Sequence, residues 1–382
     1  MATQYTVEAA NLAADPSAVL ALWLNNLPGY DAANARAKLQ LGYLANPAGA
    51  SRVLLLMAQS AQGPQTTEGA QGLHKAEGPQ GLHKVKGVQG LHKAEGVQGL
   101  HARRFQFGAL TLNAVALADL VVNAEHRSLG PALMLMRRSV EIAQEHFELT
   151  YGLPNERAAA VCARAGLRAL GSLKRYAKPL ASREKLGARI SPGLAMLLAP
   201  LVDRALTARD AWRGAKLGMR LTCRTSSWNN PALDDIWAQR GAGLLLSQRS
   251  ADMLRWRFDG ARLPQSSPRW EICIAHDASS AVQGYVVWRQ NAGFFEVGDF
   301  FVKNVSQQLT PMMLGFARYA KRHQAVSISV QFFGDPRVVQ SLLAAGMQLR
   351  PEEAAVFIGA ATPAELTDPN IWYLTAFDND AD

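Results

Sequence analysis

Apolar runs alternate with amphipathic segments between residues 115 and 167, and this pattern predicts a strand, a helix, a second strand and a second helix. Val115–Val122 is almost continuously apolar, as expected of a buried strand. Pro131–Glu145 has helical spacing, and Phe147–Tyr151 predicts the next strand. Asn155–Leu167 predicts a helix that ends at a glycine. The alternation indicates an α/β fold.

The turn at residues 127–132, RSLGPA, has the residue types of an anion site. The first amides of a helix lack intrahelical partners and lie at the positive end of its dipole. Gly130 lets the backbone approach a ligand, Pro131 suits a first helical position, and Arg127 can pair with a phosphate. The turn therefore predicts a pyrophosphate site, although an ordinary helix start with a surface arginine would have the same pattern.

The order of these motifs resembles that of the GNAT superfamily of N-acetyltransferases, over roughly residues 5–180. In that family the strand, the Arg-x-x-Gly-x-Ala turn and the following helix bind acetyl coenzyme A. The resemblance implies this co-substrate, and no metal. The implied cofactor-binding residues are Leu120, Val121, Val122, Arg127, Ser128, Leu129, Gly130, Pro131, Ala132 and Asn155.

The chain also resembles itself. When Asp119 is aligned with Asp299, the closing glycines Gly166 and Gly346 both follow 47 residues later. Such self-similarity predicts two copies of one domain.

The second copy lacks the residues expected to bind phosphate. Gln307 replaces Arg127 and Thr310 replaces Gly130, so both the cation and the close-approach glycine are lost. We therefore expect the cofactor only in the N-terminal copy and regard the second copy as degenerate.

The predicted fold class is α/β, with an α+β mixed sheet in two tandem GNAT-like domains. We expect an N-terminal domain at 1–180, a basic helical linker at 181–217 and a C-terminal domain at 218–382. A chain of 382 residues with 48% hydrophobic content is ample for two globular cores.

Cysteine content and the first residues indicate a cytoplasmic protein. The three cysteines are widely spaced and odd in number, so they predict neither a disulfide framework nor a metal cage. The N-terminus lacks a basic start followed by an apolar core, so no signal peptide is expected.

Charge concentrates in residues 173–220, where eleven basic residues face three acidic ones and supply nearly all of the net +9. One interpretation is an interdomain helical linker with a solvated basic face. The other is a surface that contacts an anionic membrane or a lipid-linked substrate. Nucleic acid is not an expected partner, because the segment has few aromatic residues and no binding module.

Residues 68–103 contain four nine-residue repeats that place His74, His83, His92 and His101 nine residues apart. This spacing does not suit metal ligands on one strand or helix. Two glycines per unit and few apolar residues predict a flexible loop inserted between neighbouring strands.

The resemblance implies acyl transfer from a thioester to an amine, which requires removal of a proton from the amine. Asp119 is the candidate catalytic base, because burial in an apolar strand should raise its carboxyl pKa. A structural carboxylate is the alternative, which Asp299 in the second copy favours. His126 beside the turn is a weaker candidate.

The acid that would protonate the leaving thiolate stays unassigned. Cys162 occupies the position where many GNAT enzymes carry a tyrosine for this purpose. Tyr151 and Tyr176 are possible acids, but they lack positional support.

Three functions fit these observations. The favoured one is an acetyl-CoA-dependent N-acyltransferase with a small-molecule or glycan amine as acceptor, in cell-envelope or polysaccharide metabolism. The second is an aminoacyl-donor transferase of the peptidoglycan-bridge type, which would not need Arg127 for its donor. The third is a scaffold protein that binds coenzyme A without turnover.

Overall fold

Two α/β halves follow each other in this computed structural model, which describes residues 3–27, 29–59, 92–259 and 268–379. The strands of the N-terminal half are β1 (Gln4–Ala9), β2 (Arg52–Gln59), β3 (His92–Phe107), β4 (Leu110–Val122), β5 (Leu149–Gly152) and β6 (Arg168–Pro179). Its helices are α1 (Ser17–Asn26), α2 (Ala32–Lys38), α3 (Leu129–His146) and α4 (Glu156–Arg164). A π-helical turn, Leu39–Leu44, follows α2.

Two helices connect the halves within the basic segment, and the second half then repeats the pattern of the first. The connecting helices are α5 (Arg183–Gly187) and α6 (Pro192–Ala215). The strands of the C-terminal half are β7 (Thr222–Ser226), β8 (Leu245–Ser247), β9 (Trp270–His276), β10 (Val282–Asn291), β11 (Phe294–Val302), β12 (Ser327–Gly334), β13 (Gln348–Ile358) and β14 (Tyr373–Leu374). Its helices are α7 (Ala232–Ala238), α8 (Ala251–Phe258), α9 (Val305–Arg322) and α10 (Pro336–Ala344).

The strands form one continuous mixed sheet, in the order β1-β2-β3-β4-β5-β13-β6-β12-β11-β10-β9-β7. The halves exchange strands at its centre. Strand β13 of the C-terminal half lies between β5 and β6, whereas β6 of the N-terminal half lies between β13 and β12. Each half therefore completes the sheet of the other, and backbone hydrogen bonds join the two cores that the sequence predicted separately.

The predicted fold class is confirmed: the fold is α/β with a mixed sheet and two tandem halves. The predicted strands and helices of residues 115–167 coincide with β4, α3, β5 and α4. Gly166 and Gly346 end α4 and α10 with φ of 94° and 89°, the left-handed conformation that glycine adopts most readily. The self-alignment therefore matches equivalent positions in space.

The prediction of a flexible loop over residues 68–103 is wrong for its last part. Residues 92–103 belong to β3, which pairs with β2 on one side and β4 on the other. The repeat glycines fit this position, because a Cβ at Gly96 would lie 3.0 Å from the Val121 carbonyl oxygen. The earlier repeat units, with His74 and His83, lie outside the described residues.

The C-terminal residues fill the gap between two strands of their own half. Strands β11 and β12 pair only at Phe294–Val297, and beyond that point β14 pairs with β12. The Tyr373 hydroxyl donates to the Phe300 carbonyl on β11, at 2.5 Å. Tyr373 thus bridges the two separated strands.

A buried ion network anchors the same segment. The Arg249 guanidinium contacts Asp299 at 3.1 Å and Asp378 at 2.8 Å, and all three side chains are fully buried. Burial alone would lower the pKa of Arg249, but the two carboxylates outweigh burial and raise it. Thr375 and Tyr285 also donate to Asp299. The network ties the end of the chain to β11.

We expect Arg249→Leu to lower the free energy of unfolding by about 3–5 kcal/mol, because it leaves two buried carboxylates without their cation. Urea unfolding followed by circular dichroism measures the loss. Arg255→Leu is the control, since it removes an arginine whose side chain is 36% exposed and pairs with Asp252, and it should cost at most about 1 kcal/mol. Equal losses in the two variants would contradict an anchoring role for Arg249.

Candidate functional site

A cleft opens where β4 and β5 separate. The two strands pair only between Ala114–Leu117 and Leu149–Gly152, whereas β4 continues to Val122. The cleft has a volume of about 480 Å³. Its lining from the N-terminal half includes Tyr30, Lys38, Gln98, Asp119, Leu120, Asn155 and Cys162, and the C-terminal half adds Ala354 and Asn379.

The start of α3 lies just after β4 and is not capped by a side chain. Ser128 is the N-cap residue, but its hydroxyl makes no capping hydrogen bond. Gly130 is exposed, and a Cβ placed there would meet nothing within 4 Å. The first-turn amides and the open space beside them suit an anionic ligand.

The equivalent helix of the C-terminal half is closed. Helix α9 begins at Val305, and the Asn304 side chain accepts a hydrogen bond from the Gln307 amide. The Gln308 side chain in turn accepts from the Asn304 amide at 2.8 Å. The residue aligned with Arg127 thus lies within the first turn of α9, and its amide already binds the N-cap side chain.

Arg127 is held at the turn that the sequence predicted for phosphate. Its guanidinium donates to the Val122 carbonyl at 3.3 Å and to the Asn26 side chain at 3.1 Å. The side chain is otherwise exposed. These contacts keep a cation beside the uncapped start of α3.

The remaining predicted cofactor residues fall into three groups. Leu120 and Asn155 line the cleft, and Asn155 also caps α4 by accepting from the Ala158 amide at 3.0 Å. Val121 and Val122 are buried in two different apolar clusters. Leu129, Pro131 and Ala132 form the first turn of α3 with Gly130.

Asp119 lies at a β-bulge in β4. Its φ of 55° is rare for a residue other than glycine, and the pairing of β3 with β4 shifts register at this point. The carboxylate contacts the Lys38 ammonium at 2.5 Å and accepts from the Tyr43 hydroxyl at 2.5 Å. The His101 Nε2 atom lies 3.4 Å away. The bulge thus places the carboxylate against side chains from α2, the π-helical turn and β3, namely Lys38, Tyr43 and His101.

The expectation that burial raises the pKa of Asp119 is wrong. Burial does favour the neutral acid, but the Lys38 ammonium, with help from His101, holds the pKa of Asp119 well below its usual range. Burial also lowers the pKa of His101, so its imidazole is neutral at pH 7. Asp119 is therefore a fixed negative charge and a weak base.

Two glycines make room for this cluster. A Cβ at Gly99 would lie 1.9 Å from the Tyr43 hydroxyl oxygen, and one at Gly42 would lie 3.0 Å from the His101 ring. Gly99 is the second glycine of the last repeat unit. Because it has no side chain, it leaves the space that the Tyr43 hydroxyl occupies.

Gln98 presents an unpaired acceptor in the cleft. Its side-chain amide donates to the Ala118 carbonyl at 2.5 Å and to the Gly99 carbonyl at 3.2 Å. Its Oε1 atom is buried without a hydrogen-bond partner. Because a buried polar atom without a partner is costly, this oxygen marks a place for an N–H or O–H group of a ligand.

The other candidate residues are placed as follows. Cys162 lines the cleft, and burial raises the pKa of its thiol to about 11, so the thiol is a poor acid. His126 lies outside the cleft, where its Nδ1 atom is hydrogen-bonded to the Tyr5 hydroxyl at 2.7 Å. Tyr151 donates to the Asp378 carbonyl, and neither it nor Tyr176 lines the described cleft.

Metal ligands do not cluster in the part of the chain that is described, where no group of three or more His, Cys, Asp and Glu side chains could hold an ion. Of the repeat histidines, His101 contacts Asp119 and His92 begins β3.

Sequence reasoning missed Lys38, Tyr43, Gln98 and His101. Lys38 and Tyr43 lie far from Asp119 along the chain and carry no motif. Gln98 and His101 recur in every repeat unit, and this recurrence directed attention to metal binding rather than to a strand beside Asp119.

The C-terminal half contains a similar carboxylate arrangement, but its carboxylate, Asp299, is fully buried and does not line the pocket described in that half. Asp299 lies at the equivalent bulge, pairs with Arg249 and accepts from the Tyr285 hydroxyl at 2.7 Å. A carboxylate, a cation and a tyrosine can therefore serve to hold the bulge. Access to the cleft distinguishes Asp119 from Asp299.

Comparison with solved structures shows the fold of the GCN5-related N-acetyltransferases. A probable N-acyltransferase from Enterococcus faecalis superposes with a TM-score of 0.55 at 10% identity, over 93% of this chain and 72% of that one. GCN5-related N-acetyltransferases from Kribbella flavida and Anabaena variabilis give 0.53 at 14% and 0.52 at 13% identity. They cover 93% and 94% of this chain, and 71% and 72% of theirs. No protein-family model matches the chain, and no curated protein matches it significantly.

We expect Gly99→Ala to displace Tyr43 from Asp119 and to lower the free energy of unfolding by about 1–3 kcal/mol through overpacking. Adding Tyr43→Phe removes the clashing hydroxyl and should restore part of the loss in chemical unfolding. Gly130→Ala is the control, because its Cβ meets open space and should leave stability within about 0.5 kcal/mol. A Gly99→Ala variant as stable as the wild type would contradict the packing described here.

Proposed function

We propose that this chain is an acetyl-CoA-dependent N-acyltransferase whose N-terminal half binds the co-substrate. One observation carries the proposal: the N-terminal half pairs a cleft that borders Asp119 with an uncapped helix start, whereas in the C-terminal half Asp299 is fully buried, β14 pairs with β12, and Asn304 caps the helix. A ligand site retained in only one of two related halves supports a function for that site.

The N-terminal half fits the parts of acetyl coenzyme A as follows. The first-turn amides of α3 and the Arg127 guanidinium bind the pyrophosphate, and Gly130 leaves room for it. Leu120 and the separated end of β4 contact the extended thiol arm in the cleft. Val121 and Val122 support this wall from the core.

The inner end of the cleft suits an amine that is neutral near pH 7. Asp119 carries a negative charge there, but the Lys38 ammonium beside it offsets that charge. The pair therefore attracts an alkylammonium ion less than a carboxylate without a neighbouring cation would. Amino sugars, whose amines are less basic than alkyl amines, fit this environment. We propose a glycan or other small amine of this kind as the acceptor, with synthesis of cell-envelope polysaccharide in the cytoplasm as the context.

Asp119 and Gln98 then have distinct roles. The Gln98 Oε1 atom accepts an N–H bond from the acceptor and orients its nitrogen. The nitrogen attacks the thioester carbonyl carbon and the C–N bond forms. The C–S bond then breaks, and coenzyme A leaves as its thiolate, which takes up a proton from water. Positive charge develops on the nitrogen, and the ionised Asp119 stabilises it until the proton leaves to water in the cleft. Asp119 thus acts through its charge rather than as a base with a raised pKa.

We expect calorimetry to detect acetyl coenzyme A binding to the wild type, and Arg127→Ala to weaken it by roughly tenfold or more through loss of a charge-assisted contact. Gly130→Glu should abolish binding, because it places a carboxylate in the phosphate site. Gln307→Ala changes the exposed equivalent residue of the second half and should leave affinity unchanged. No binding by a folded wild type would overturn the proposal and favour an aminoacyl donor or a scaffold role.

In an acceptor screen at pH 7, we expect turnover with amino sugars to exceed that with lysine or polyamines. Asp119→Asn should reduce kcat by about 10²-fold, and Gln98→Met should chiefly raise the acceptor KM. Because the pKa of Asp119 is held low, kcat/KM should follow deprotonation of the amine, with no loss from protonation of Asp119 at mildly acidic pH. Acetyl coenzyme A affinity within about threefold of wild type serves as the folding control. Full activity of Asp119→Asn would exclude the electrostatic role.

A further inference from the structure

Helix α6 exposes an unusual number of large apolar side chains. It carries half of the exposed large apolar residues among those described, and Leu197 and Trp212 are 69% and 61% exposed. The seven are Leu194, Met196, Leu197, Leu198, Leu201, Val202 and Trp212. Exposed apolar clusters of this kind mark interaction surfaces.

Most of these side chains lie along one face. Leu194, Leu197, Leu198 and Leu201 follow the i, i+3, i+4, i+7 spacing of a single helical stripe. The small residues Ala195 and Ala199 are buried on the opposite side, against the protein. The outward stripe of α6 therefore has no apolar partner within the described chain.

The charged residues of α6 also differ between its two sides. Both of its acidic residues are engaged on the protein side, where Asp203 accepts from the Ser182 amide at 2.8 Å and Asp210 pairs with Lys178 at 2.7 Å. Arg204 and Arg209 are exposed. The outward surface of the helix thus combines apolar side chains with positive charge.

We propose that the outward face of α6, the stripe with its flanking arginines, docks the protein on an anionic lipid bilayer. An interfacial helix buries its apolar face among the acyl chains while its basic residues contact anionic headgroups. The helix lies on the membrane surface, since no described helix is long and apolar enough to cross a bilayer. A second copy of the chain fits this face poorly, because it would place arginine against arginine with no exposed carboxylate on α6 to pair with.

A pocket beside α6 fits the same partner. It lies between α6 and α9, has a volume of about 270 Å³ and has mainly apolar walls that include Leu206 and Leu314. Arg220, Arg318 and Lys321 also line it. Asp210 lines it as well, paired with Lys178, so the lining has three basic residues and one acidic residue beside its apolar walls, which suits the acyl chain and headgroup of one anionic lipid.

Vesicle flotation tests the proposal. The full chain is mixed with vesicles of phosphatidylcholine alone or of equal parts phosphatidylcholine and phosphatidylglycerol. We expect the wild type to float with the anionic vesicles and to stay at the bottom with the neutral ones. Failure to float with anionic vesicles, or equal flotation with both compositions, overturns the proposal.

Two pairs of variants separate the apolar and electrostatic contributions. Leu197→Glu/Leu201→Glu should reduce vesicle binding at least tenfold, whereas Leu110→Glu/Leu349→Glu, at sites 60% and 53% exposed elsewhere, should not. Arg204→Glu/Arg209→Glu should weaken binding about tenfold or more, and Arg137→Glu/Arg224→Glu, with the same change in net charge, should have a much smaller effect.

Circular dichroism verifies that each variant is folded. Equal losses in test and control pairs would mean that binding depends on net charge or general exposure and would overturn the assignment to α6. Light scattering tests whether a second copy of the chain occupies this face instead. If the wild type is a dimer that does not bind vesicles, and Leu197→Glu/Leu201→Glu dissociates it, the face belongs to a second copy.

Discussion

The exchange of β6 and β13 is the constraint on which the rest of the structure depends. Because each strand pairs with both halves, neither half can complete its sheet without the other. The exchange also carries the C-terminal residues back to the N-terminal half, where Ala354 and Asn379 line the cleft. The second half thus contributes residues to the cleft, although Gln307 and Thr310 stand where the first half has Arg127 and Gly130.

The two halves differ in what occupies the gap between two separating parallel strands. Separation of two parallel strands leaves a gap with unpaired backbone groups, which must be filled by chain, water or ligand. In the C-terminal half, Tyr373 and its neighbours fill the gap and a buried arginine network holds them there. In the N-terminal half the gap stays open beside an uncapped helix. One gap is therefore part of the core, and the other is a cleft.

The Asp119 cluster places an ion pair that holds a β-bulge beside the cleft. Asp299 holds the equivalent bulge with a cation and a tyrosine, entirely within the core. At Asp119 the same arrangement borders the cleft, and the unpaired Gln98 oxygen lies beside it. The Lys38 ammonium keeps the carboxylate ionised, so the ion pair at the bulge also sets the charge that borders the cleft.

The sequence by itself determined the strands and helices of residues 115–167, to within about two residues at the start of α3, and the relation between the halves. These features depend on short-range periodicity and on glycine at positive φ, which neighbouring residues reveal. Only the tertiary structure decided the strand exchange, the partners of Asp119 and the place of the last repeat unit in β3. That unit is polar and rich in glycine, so it predicts a loop on its own. It forms a strand because β2 and β4, distant in sequence, supply its hydrogen bonds and its packing. Likewise, the pKa of Asp119 depends on an ammonium group from another element, which no local pattern could place.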